Sequence, residues 1–96
     1  MQTGYSPLAL EDLGDIRAFV TQDDASAAYE FLDRLLTCCE DISLAPEAFP
    51  ERHDLAPGLR AVPFAKYLIL YRIHDNTVRI ERILHGSRNL PEVDFG

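Results

Sequence analysis

Tyr67-Leu68-Ile69-Leu70-Tyr71-Arg72-Ile73, then His74-Asp75-Asn76, then Thr77-Val78-Arg79-Ile80-Glu81-Arg82-Ile83-Leu84 is the stretch that decides the fold. The first run is apolar on both faces until Arg72, the mark of a central strand with something packed on either side. The polar triplet is a turn, and the β-branched second run returns as the next strand. Upstream, Leu59-Arg60-Ala61-Val62-Pro63-Phe64 reads as a further strand. Pro63 has no N–H to give a ladder, so that strand belongs at an edge or carries a bulge. Arg52 to Pro57 is a loop, and Gly58 supplies the turn before the sheet.

Ahead of these strands the period changes from two to between three and four. Ser6-Pro7 offers a hydroxyl cap followed by proline at the first helical position. Ala9, Leu13, Ile16 and Val20 then form one stripe, which Leu10 and Phe19 widen. Thr21-Gln22-Asp23-Asp24 interrupts it, and Asp24 or Ser26 caps a second helix. Its stripe is Ala28, Phe31, Leu32, Leu35, Leu36, Cys39 and Ile42, sustained over about four turns. Ala45-Pro46 and Phe49-Pro50 close the helical region, because proline biases its predecessor toward extended geometry. Gln2 to Tyr5 is a short edge strand.

The expected architecture is α+β: a short N-terminal strand, an antiparallel two-helix hairpin, then a three-stranded antiparallel sheet, all in one domain over residues 1–96. The hairpin covers one face of the sheet. The sequence leaves no regular element for the other face, which is therefore expected to be open to a partner.

Bulk properties narrow the function classes. The chain has 96 residues, 47% hydrophobic and 26% charged, so it is globular and sized for one domain. No run approaches the roughly 18 apolar residues of a membrane span. The first residues lack a basic region followed by an apolar core, so a cytoplasmic protein is expected. Cys38 and Cys39 are helix neighbours pointing about 100° apart, which disfavours a disulfide between them. With no His pair nearby they make no zinc site, and no glycine-rich phosphate loop is present. Neither metal nor cofactor is expected.

Net charge is −7, which argues against strong non-specific binding to nucleic acid. The charge is uneven. Residues 1–50 hold ten acidic and two basic side chains, whereas residues 51–96 hold six acidic and seven basic. An acidic half precedes a mildly basic one, a clue to partners.

Several local patterns together resemble the RelE/ParE toxin superfamily, and most closely its ParE branch, also known as plasmid-stabilisation proteins. Ser6-Pro7, Ala9, Asp12-Leu13 and Ile16 resemble the opening helix of that family, and Ala28, Phe31-Leu32 and Leu35 its second. Pro57-Gly58-Leu59-Arg60 resembles the segment leading into its sheet. Tyr67 to Ile73 is similar to its central strand. Val78-Arg79-Ile80-Glu81-Arg82-Ile83-Leu84-His85-Gly86-Ser87-Arg88 is similar to its last strand and the turn after it. The pieces gain specificity from their order and spacing.

The resemblance implies a toxin of a type II toxin–antitoxin module, neutralised by a ParD-like or other small antitoxin within a hetero-oligomer. ParE-type members act by binding a protein, and several poison DNA gyrase. RelE-type members instead cleave messenger RNA on the ribosome. RNA cleavage by 2′-OH attack needs a base, an acid and cations for the phosphate. RelE-type proteins place an arginine just after the first tyrosine of the central strand, where this chain has Leu68. They also place a tyrosine a few residues after the position of Arg88. This chain has Pro91-Glu92-Val93-Asp94-Phe95 there. Of a lysine pair before the central strand, Lys66 alone stands nearby. The residues therefore favour a gyrase-directed binding toxin over an endonuclease. A relic binding module without toxicity is a further alternative.

Candidate contacts for antitoxin or target are Arg60, Tyr67, Tyr71, Arg72, Arg82, His85, Arg88 and Phe95. Arginine suits a partner rich in carboxylates because its planar fork binds them bidentately. Arg72 and Arg82 are expected near one another across the hairpin, where like charges need an acid or a partner. Glu81 and the acidic helices are the internal alternative. His85 is either a proton-transfer group or a strand-end imidazole bonded to its surroundings. The tail from Asn89 is a free end, a strap over the core, or a target-binding segment.

Overall fold

The computed structural model describes residues 1–93 and 95. In chain order it contains β1 (Gln2–Tyr5), α1 (Pro7–Thr21), α2 (Ala25–Ile42), β2 (Arg60–Phe64), β3 (Tyr67–His74), β4 (Thr77–His85) and a short 3-10 turn at Leu90–Glu92. The sheet order is β1-β4-β3-β2. β1 runs parallel to β4, while β4, β3 and β2 form an antiparallel meander. The α+β class stands, but the sheet is four-stranded and mixed rather than three-stranded and antiparallel. β1 reaches β4 because a helical hairpin, rather than a tight turn, separates them, which is what a parallel pairing requires.

Both helices start where their caps dictate. Ser6 Oγ accepts the Ala9 N–H at 3.0 Å, and its hydroxyl donates to the Glu81 carbonyl at 2.7 Å. One buried serine thus caps α1 and ties it to β4. Asp24 accepts the N–H groups of Ser26 and Ala27 at 2.9 and 3.2 Å. The β3–β4 turn places Asp75 and Asn76 at φ 47° and 59°, two consecutive left-handed residues of the kind a tight hairpin needs. Pro63 lies in β2, an edge strand, as its missing donor demands.

The main core lies between the hairpin and the sheet. Ala9, Ile16, Leu35, Cys39 and Ile42 meet Val62, Ile69, Tyr71, Val78, Ile80 and Ile83 there. The opposite face departs from expectation. Leu70 and Leu84 are sealed by Leu59 and by Phe95, with Leu55, Ala56, Ala61, Leu90 and Val93 packed around them. The open sheet face expected from the order of elements is covered by the chain itself. Its cover consists of an irregular loop and the segment after β4, neither of which carries a periodic pattern.

Register explains another departure. Leu70 lies opposite Arg82, but Tyr71 lies opposite Ile80, so Glu81 is an extra residue in β4. This bulge re-aims the side chains around it. Arg72 faces Arg79 across the ladder, and Arg82 is not its neighbour.

Candidate functional site

The eight candidate contacts divide among three environments. Arg82 is buried, and its guanidinium grips Asp12 of α1 through Nε–Oδ2 at 2.8 Å and Nη2–Oδ1 at 2.9 Å. The Ile83 N–H donates to the same carboxylate at 3.0 Å. Tyr71 is fully buried, and its hydroxyl donates to the Pro46 carbonyl at 2.6 Å. These two residues are structural in the folded chain. Arg60 is half-buried and holds the loop before β2 through the Phe49 carbonyl and Glu51.

Arg72 and Phe95 belong to the second face. The Arg72 Nη1 donates to Glu81 Oε2 at 2.6 Å and to the Phe95 carbonyl at 3.4 Å, while its Nε donates to the Pro57 carbonyl at 3.2 Å. Glu81 also accepts from Arg79 Nε at 2.8 Å. The internal acid anticipated for these arginines is therefore Glu81, buried between two of them. Asp12 does the same for Arg82.

Tyr67, His85 and Arg88 do come together. With Ile16, Phe19, Asp12, Asp15, Ile83 and Leu84 they line a cleft of about 370 Å³ at the end of β4. The Tyr67 ring stands edge-on to the His85 ring at 5.6 Å and lies 6.1 Å from Phe31. His85 Nδ1 lies 2.7 Å from Ser87 Oγ and accepts the Ser87 N–H at 3.2 Å. A ring nitrogen that accepts a backbone N–H leaves Nε2 to carry the proton of the neutral ring. The imidazole is thus a strand-end group bonded to its own turn.

The surroundings of both thiols disfavour the thiolate. Burial pushes Cys39 up to about 12, with the neighbouring Cys38 adding to it. Burial also raises Cys38, assisted by Asp41. Both cysteines are free, as their placement on one helix implied.

The helices carry a surface that the apolar pattern alone merges with the core. Leu10, Phe19, Tyr29, Leu36 and Leu44 are all exposed, Tyr29 at 79% and Phe19 at 64%. On α2 the buried stripe is Ala28, Leu35, Cys39 and Ile42. Tyr29, Leu32 and Leu36 form a second stripe, rotated from the first. They line a groove of about 470 Å³ against Arg17 and Thr21 of α1. A signal for it is present in the sequence: the apolar positions of α2 exceed what one face of a helix buries.

Residues 4–90 match the model of the family described as the ParE toxin of the type II toxin–antitoxin system parDE. Toxin ParE3 of Caulobacter vibrioides is 37% identical over 59 residues, which cover 62% of this chain and 59% of that protein. The chain therefore matches less than two thirds of that relative's length. A structure of the chromosomal ParDE system from P. aeruginosa superposes with a TM-score of 0.76 at 17% identity, covering 88% of this chain and 95% of the other. The RelBE2 toxin–antitoxin complex from Mycobacterium tuberculosis gives a TM-score of 0.63 at 26% identity over the same shares.

Proposed function

We propose, for a chain that belongs to the ParE toxin family of type II toxin–antitoxin systems, that it acts in the cytoplasm by binding a protein target, DNA gyrase being the expected one, and that a ParD-like antitoxin neutralises it. The observation that carries this reading is the fate of the basic side chains. Arg60, Arg72, Arg79 and Arg82 each hold an internal carboxylate, a chain carbonyl or both. Groups so engaged build the fold rather than receive a phosphate in transit. The exposed apolar side chains instead lie on the helical hairpin, Leu10 and Phe19 on α1 and Tyr29 and Leu36 on α2.

An antitoxin of this reading docks an amphipathic helix against Tyr29, Leu32 and Leu36, in the manner of other helix-in-groove complexes. Arg17 beside that groove suits an acidic residue on the incoming helix. Tyr67, His85 and Arg88 form the second surface reachable from solvent and are assigned to target contact. Tyr71 and Arg82 act there indirectly, by fastening β3 to the loop after α2 and β4 to α1.

The endonuclease reading keeps one observation in its favour, the convergence of Tyr67, His85 and Arg88 on a single cleft. Leu68 and the structural use of the other arginines weigh against it. The deciding experiment is controlled expression in cells carrying a reporter plasmid, with and without the product of the adjacent gene. Growth arrest with stalled gyrase–DNA cleavage complexes, relieved by that product, is the expected result. Normal growth and unchanged plasmid topology would instead indicate a binding module without toxicity.

A further inference from the structure

We propose that the second face of the sheet is a peptide-binding slot whose resident ligand is the chain's own segment after β4. The floor of the slot is Leu70 of β3 and Leu84 of β4, and its wall is Leu59. Each of these is at most 2% exposed with the segment in place. Among its described residues, the ligand packs Leu90, Val93 and Phe95 on the slot. Its 3-10 turn is closed by the Val93 N–H on the Leu90 carbonyl at 3.1 Å. Phe95 then drops its ring into the slot, leaving it 6% exposed. At the far end Arg72, already anchored on Glu81, extends Nη1 to the Phe95 carbonyl at 3.4 Å.

Three properties make this a seated ligand rather than an integral layer. The cluster is small and lies across the sheet from the main core, with which it shares no residue. Gly86, just after β4, gives its N–H to the Lys66 carbonyl at 2.8 Å; beyond it, among the described residues, the backbone bonds of the covering segment are local: Arg88 N–H to the His85 carbonyl, then Val93 N–H to the Leu90 carbonyl. Neither fastens it to a strand edge. Its hold is the Phe95 ring, the partly buried Leu90 and Val93, and Arg72, an arrangement small enough to open locally while the main core stays closed. The chemistry that the slot recognises is therefore specific: a segment with an aromatic side chain, preceded by aliphatic ones two and five positions earlier, whose backbone carbonyl meets a guanidinium. A competing segment from another protein must displace the resident one, and its apparent affinity is reduced by the fraction of time the slot is open.

The slot is independent of the toxin reading, and its test uses the full chain. Wild-type protein and the Phe95→Ala variant are titrated with an eight-residue synthetic peptide matching residues 89–96, and methyl resonances of Leu59, Leu70 and Leu84 are followed. The variant is expected to bind the peptide about ten-fold or more tightly than wild type, since its own segment no longer competes. Bound peptide should return the three leucines toward their wild-type positions, and a peptide carrying Phe95→Ala should not. Resonances of Ile69 and Ile80 in the main core are expected to stay fixed. Equal affinities, no binding to the variant at millimolar peptide, or collapse of the Ile69 and Ile80 resonances in Phe95→Ala would each overturn the proposal.

Discussion

Arg82 and Asp12 form a buried, two-pronged ion pair across 70 residues of sequence, with contacts of 2.8 and 2.9 Å, and it fastens α1 to β4. Asp12 also accepts the Ile83 N–H beside the β4 bulge. Replacing Asp12 by Ala leaves a buried guanidinium without its carboxylate and a backbone donor without its acceptor. Losing one partner of a buried pair costs about 3–5 kcal/mol. Urea unfolding of Asp12→Ala should show that loss, with Asp12→Asn intermediate. A change below about 1 kcal/mol would remove the pair from its assigned role.

Tyr71→Phe isolates one hydrogen bond. The ring remains in the core, and only the hydroxyl's bond to the Pro46 carbonyl disappears. A cost of about 1 kcal/mol is expected in the same unfolding assay. Because Tyr71 is fully buried, affinity for the antitoxin should not change. A large affinity loss with intact stability would return this residue to the interface.

Tyr29 offers the reverse case. It is exposed, so Tyr29→Ala should alter stability by no more than about 0.5 kcal/mol. As an aromatic anchor in the α1–α2 groove it should weaken antitoxin binding at least about ten-fold, or roughly 1.4 kcal/mol. Calorimetric titration with the product of the adjacent gene checks both halves. Unchanged affinity would place the antitoxin elsewhere.

Alkaline pH should destabilise the fold through two weak acids. Burial raises Tyr5 above its ordinary value, with Cys39 and Glu40 adding to it, and burial raises Cys39 to about 12. A raised acid keeps its proton in the folded chain where the unfolded chain has lost it. The stability these groups provide is therefore complete below about pH 9, the ordinary thiol value, and falls as pH rises toward 12. Cys39→Ala should flatten the decline between about pH 9 and 11, as read by thermal unfolding. An identical slope would exclude Cys39 as a source.

Much of the fold is legible in the sequence because regular elements announce themselves by period. Ser6-Pro7 and Asp24 mark the helix starts, and Tyr67 to Leu84 marks the hairpin. The parallel pairing of β1 is not legible, since four residues carry no partner information. The bulge at Glu81 is hidden as well, and the expected meeting of Arg72 with Arg82 fails on register: counted from the His74–Thr77 pair, Arg72 lies opposite Arg79, while Arg82 goes to Asp12. Phe95 reads as a surface contact in the sequence because an irregular segment has no periodicity from which burial can be inferred. For the candidate site, Tyr67, His85 and Arg88 are recognisable singly, but their convergence depends on the pairing of Tyr67 with His85 across β3 and β4. Tyr29 escapes notice because the second stripe of α2 overlaps the first.

A surface, rather than a set of proton-transfer groups, carries the activity in this reading. Mapping transcript 5′ ends during the first minutes of induced expression tests that claim most directly. The predicted result is arrested growth with transcript ends unchanged from uninduced cells. New, position-specific ends that vanish in a His85→Ala variant would contradict it.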